Sequence, residues 1–137
     1  MKGAVLLLPI AILLIALTPE SRQSCRLSAA ELLSSISLEF RRVAGYKADL
    51  RFSAEGLPGV SQRAWTASEC GRLITTVNLL ELSTDCPDRI RETARHEACH
   101  VLLHGQILRI AEMSGLSEET KNKIEAEARQ CEQETRQ

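Results

Sequence analysis

The chain has 137 residues, a formal net charge of −1, 26% charged and 44% hydrophobic residues. That length allows one small domain, and the near-neutral charge gives no electrostatic case for nucleic acid or an anionic membrane as partner. Aromatics make up only 3%, so Leu, Ile, Val and Ala must build the core, and a core of that kind at this size gains from a metal or disulfides.

Met1-Lys2 precedes an unbroken apolar run, Ala4 to Leu17. The run fits a secretory h-region and is short for a membrane span. Residues 1–21 are therefore expected to be a signal peptide or a retained N-terminal anchor, with the protein secreted or periplasmic. Any membrane association would run through residues 4–17. Five cysteines, Cys25, Cys70, Cys86, Cys99 and Cys131, suit an oxidising compartment. The odd count leaves one over. Cys99, between His96 and His100 in sequence, is expected on the opposite side of the helix from them as a buried free thiol, with two bridges among the other four.

Ser28-Ala29-Ala30-Glu31 has the form of a capping box. Leu32, Leu33, Ile36, Phe40 and Val43 follow at helical spacing, which predicts a helix over Ala29–Ala44 ended by Gly45. Tyr46 to Phe52 alternates as a strand. Glu55 to Arg63 is a loop broken by Gly56, Pro58 and Gly59, and Ala64 to Ala67 is a short strand carrying Trp65. After a turn at Cys70-Gly71, the β-branched run from Arg72 to Leu82 predicts a third strand. A helix over Ile90–His104 follows, with Pro87 near its start and Gly105 at its end. Gln106 to Met113 is read as a separate short helix closed by Gly115. Ser117-Glu118-Glu119 starts the last helix, with an inner stripe of Thr120, Ile124, Ala128 and Cys131. The expected fold is α+β: an N-terminal helix, a small, mostly antiparallel sheet of about three strands, and a C-terminal helical half.

The chemistry-bearing stretch is His96-Glu97-Ala98-Cys99-His100. Side chains four apart share a helix face, so His96 and His100 point the same way and suit two corners of a zinc tetrahedron. Glu97, at the edge of that face, is placed to act as general base on a water. A catalytic zinc needs a third protein ligand. Leu103 and Gln106 stand where the metzincin extension would need Gly and His, so that extension is excluded. Three ligands along one straight helix cannot surround an ion, which makes His104 a supporting or surface residue. The last helix offers glutamates in Ile124-Glu125-Ala126-Glu127-Ala128, where the alanines permit close approach.

The stretch His96 to His104, followed by Glu125-Ala126-Glu127-Ala128, resembles the gluzincin-type pattern of the ImmA/IrrE-like metallopeptidases and related minimal gluzincins, H-E-x-x-H-x-L-L-H and then E-x-E-A-N. The likeness covers roughly residues 90–131. It implies a minimal zincin-like metallopeptidase domain over residues 22–137, Zn2+ as cofactor, Glu125 as third ligand with Glu127 as fallback, and a protein or peptide substrate cleaved by a metalloendopeptidase. Arg129 departs from the pattern, since gluzincins often carry Asp or Asn there to brace a zinc histidine. Two other readings stay open: a zinc-binding but inactive zincin-like domain, and an exported, disulfide-stabilised binding or inhibitor domain. Oligomeric state is left open.

Overall fold

The computed structural model describes Cys25, residues 27–54 and residues 62–136. The expected export segment and most of the Gly/Pro loop after Ala54 lie outside the described residues. Helix α1 (Ala29–Ala44) starts at Ser28, whose Oγ accepts from the Glu31 N–H. It buries Leu32, Ile36, Phe40 and Ala44, one stripe at four-residue spacing, and ends where Gly45 takes φ +59°. The next three residues, Tyr46 to Ala48, are not strand. Arg41 donates to the carbonyls of Gly45 and Ala48 and holds that stretch as a turn, leaving Tyr46 exposed. Strand β1 therefore covers Asp49–Ser53.

Strands β2 (Ala64–Glu69) and β3 (Arg72–Asn78) form an antiparallel hairpin. Cys70 and Gly71 both have positive φ, the pattern of a two-residue type I′ turn, which matches the strand twist. β3 is central, with β1 parallel on its other side. The sheet is thus mixed, not mostly antiparallel. The tight hairpin takes one edge of β3, and β1, reached through the long connection from β2, takes the other edge in the parallel sense. β3 stops short of Leu82 because the Asn78 side chain accepts from the N–H groups of Leu80 and Glu81 and caps a single turn, α2 (Leu79–Leu82).

The expected break at Gly105 does not occur. Helix α3 runs without interruption from Pro87 to Ser114, 28 residues, or about 42 Å at 1.5 Å per residue. A Cβ on Gly105 would lie 3.0 Å from Leu73 Cδ1. The glycine lets α3 lie close on β3; it does not end the helix. The stop is Gly115, at φ +72°. Helix α4 (Glu118–Glu134) begins at Ser117, whose Oγ accepts from the Thr120 N–H. α3 packs on α1, on β2 and β3, and on α4. One core joins Ile36 and Phe40 of α1, Leu73 and Val77 of β3, Ile90, Ala94 and Ala98 of α3, and Ile124 of α4. Glu39 of α1 accepts from Arg42 and from the buried Arg95 of α3, and Arg42 also donates to the Thr135 carbonyl, so one ionic cluster ties three helices.

Two disulfides form, Cys25–Cys86 and Cys99–Cys131, and Cys70 is the free, exposed cysteine. Cys99 is therefore buried as expected but not a free thiol. At 100° per residue it sits roughly 80° round the helix from the mean direction of His96 and His100, a quarter turn and not the far side. A helix lying over the histidines reaches it as well. The pair of bridges fits an oxidising environment. Among the described residues no helix is long and apolar enough to cross a membrane.

Candidate metal centre

Three donors converge between α3 and α4. His96 Nε2 lies 3.0 Å from one Glu125 oxygen and His100 Nε2 lies 2.9 Å from the other. All three ligand atoms fall within 4.8 Å of one another. A tetrahedral zinc with bonds of about 2.0–2.1 Å holds its ligand atoms ~3.3 Å apart, so the donor set fits that ion with small side-chain adjustments. The imidazoles are edge to face, with ring planes at 83°, so their ring nitrogens approach a common point from different directions. His100 is buried, and burial pushes its pKa down to about 4. It therefore stays neutral at physiological pH, the form a metal requires.

Behind the donors, the outward ring nitrogens are held. His96 Nδ1 meets the Glu132 carboxylate at 3.0 Å. Burial raises the pKa of Glu132. Glu132 is seven residues beyond Glu125, two turns along the same face of α4, and it braces the histidine that Arg129 could not. That spacing was available in the sequence, but only the crossing of the helices shows that the second turn reaches His96. His100 Nδ1 faces His104 Nδ1 at 3.1 Å. His104 is 1% exposed. It is therefore neither at the surface nor a ligand, because it sits on the ring edge turned away from Glu125. Its Nε2 has no hydrogen-bond partner among the described residues. Its nearest carboxylate is Glu127, at 3.9 Å, so the fallback ligand lies behind the donor set and not in it.

Glu97 faces the same cleft from beside His96. Burial is the main influence on it and pushes its pKa up to about 7, against the Thr66 hydrogen bond that lowers it. Thr66 Oγ1 donates to Glu97 Oε2 at 2.7 Å and lies 2.7 Å from Thr75 Oγ1. With the Thr66 proton committed to Glu97, Thr75 is the donor of the second bond. No local pattern distinguished Thr66; its role follows from the register that turns alternate β2 side chains toward α3. The cleft has two chambers, each of about 470 Å³, that meet at Glu97 and Glu125. One continues past His96 to Arg89, Thr93 and Arg129; the other continues past His100 to Trp65, Leu108 and Leu116.

Comparison with protein-family models, curated proteins and solved structures returns no match.

Proposed function

We propose that the chain is an exported, zinc-dependent metalloendopeptidase. The observation that carries this is the convergence of His96, His100 and Glu125 at the floor of an open cleft, with Glu97 beside them on the same helix. The gluzincin-like motif supports it, since the third donor comes from a following helix as that resemblance implies. A bound zinc would polarise a substrate carbonyl and make a water acidic enough to attack near neutral pH. Glu97, beside the ligand His96 and held by Thr66, would take up the proton of that water and return it to the leaving amine, the role of a general base and acid. Thr66 holds the Glu97 carboxylate in place. His96 and His100 would hold the ion through Nε2, with Glu132 and His104 fixing their ring orientation from behind.

One observation favours a second reading, a zinc-stabilised domain without activity: Glu97 is only 6% exposed and one of its oxygens is already bonded to Thr66. Two measurements decide. The purified protein should hold one zinc per chain, lost in a His96→Ala/His100→Ala variant; metal-free, well-folded protein sinks both zinc readings. Glu97→Gln should keep the zinc and lose peptide hydrolysis. Equal hydrolysis by that variant rules out its role as base, and no hydrolysis by either protein leaves the inactive domain.

A further inference from the structure

The two sides of the cleft differ in chemistry. The Asn78 N–H donates to the Arg63 carbonyl, which sets the phase of the β2–β3 ladder. Antiparallel pairs alternate between bonded and non-bonded residues, so Trp65, Ala67 and Glu69 bond to β3. The backbone groups of Ala64, Thr66 and Ser68 face outward on an edge that no other described strand covers. Thr66, whose hydroxyl holds Glu97, marks the catalytic level on that edge. Beyond it, toward Ser68, a pocket of about 330 Å³ opens over Leu108, Ala111, Gly115 and Leu116. The charges at its rim are already engaged: Glu112 accepts from Ser68 Oγ and from the N–H groups of Cys70 and Gly71, and Lys121 donates to Glu118. On the other side of Thr66, toward Ala64, the walls carry Arg89, Glu92, Arg129 and Glu132.

From this asymmetry, and resting on the peptidase reading above, we infer that the substrate is an extended peptide paired antiparallel to β2, with a large apolar side chain on the N-terminal side of the scissile bond seated over Leu108 and Leu116. Edge pairing supplies main-chain hydrogen bonds, and pockets for alternate side chains supply the selectivity. The antiparallel sense is the more stable per residue. It runs the peptide opposite to β2, so peptide residues preceding the cut lie against Ala67 and Ser68, at the apolar pocket. Those following the cut lie against Ala64 and Arg63, at the charged wall.

The test is to incubate the zinc-loaded full chain with a mixture of synthetic peptides of known sequence and to map the cuts by mass spectrometry. Leu, Ile, Met or Phe within the two residues before the cut should be favoured over Ala or Gly by roughly tenfold or more in kcat/KM, as a filled apolar pocket provides. Leu116→Glu should bring the Leu-to-Ala ratio of kcat/KM toward one. Leu116→Ala, gentler on folding, should reduce it in the same direction. Cuts with no such preference, or with the apolar residue only after the cut, overturn the inference while leaving the peptidase intact. Absence of cutting by zinc-loaded protein overturns the peptidase reading and this inference with it.

Discussion

Replacing His104 by leucine should weaken zinc binding while leaving the fold as stable as before. When His100 binds through Nε2, its neutral ring carries the proton on Nδ1, and that N–H donates to His104 Nδ1 at 3.1 Å. Leucine fills similar space but offers no acceptor. The ring of His100 is then free to turn, and its proton is left unpaired in a buried setting. Loss of such a bracing partner costs roughly 10–100-fold in metal affinity, or about 1.4–2.8 kcal/mol. The metal-free protein has an opposing term, because His104 Nε2 is itself buried without a partner. Removing that orphan relieves about 1–3 kcal/mol, comparable to what the newly unpaired His100 N–H costs. Unfolding free energy without metal should therefore change by less than ~1 kcal/mol. His104→Asn places a carbonyl oxygen near the former Nδ1 and should recover most of the affinity. The assay is competition for zinc against a chromophoric chelator, with urea unfolding of the metal-free protein alongside. Wild-type affinity in His104→Leu, or an asparagine variant no better than leucine, would refute the bracing argument.

Three further outcomes follow from the same geometry. Glu132→Gln keeps an acceptor for His96 Nδ1 but loses the charge, and should weaken zinc binding by roughly tenfold, read in the same competition assay. Cys99→Ala/Cys131→Ala opens a bridge with a sequence separation of 32. It should lower stability by about 3–4 kcal/mol in denaturant unfolding and also weaken zinc binding, since α4 carries Glu125. Burial on its own pushes the Glu39 carboxyl up, but its hydrogen bonds to Arg42 and Arg95 outweigh this and leave its pKa lowered. A carboxylate depressed in the folded state binds fewer protons there than in the unfolded chain. Its stabilising contribution is therefore complete above the usual glutamate value of about 4.3 and is lost as pH falls through the lower folded value. Metal-free unfolding curves should show this acid-side loss, and Glu39→Gln should flatten it.

His96, Glu97 and His100 were legible because a four-residue repeat on a helix fixes a shared face without any knowledge of neighbours. The last helix was the remaining source of a third donor, and within it the resemblance to the gluzincin pattern singled out Glu125. What the pattern could not convey was closeness between elements. Gly105 read as a stop, yet it serves the contact with Leu73, and a glycine at a close approach looks locally the same as one at a terminus. Cys99 read as unpaired because its quarter-turn offset from the histidines was taken for a half-turn. Thr66 and Glu132 depend on strand register and helix crossing, which arise only when the layers are assembled. Tyr46 to Ala48 alternated like a strand, but Arg41 bonds to the carbonyls at either end of that stretch and a local turn prevailed over the pattern.

The unbroken helix α3 is a beam supported at both ends. Its first residue adjoins Cys86, pinned covalently to Cys25. Near its last turn Glu112 grips the hairpin through three hydrogen bonds. The two histidines stand at midspan, about 14 Å from one support and about 18 Å from the other, beyond the reach of fraying at the termini. Little backbone freedom is left there for an arriving ion to remove, so more of the intrinsic strength of its ligand bonds can appear as affinity. Had the rod ended at Gly105, the ligand pair would have sat one turn from a free end.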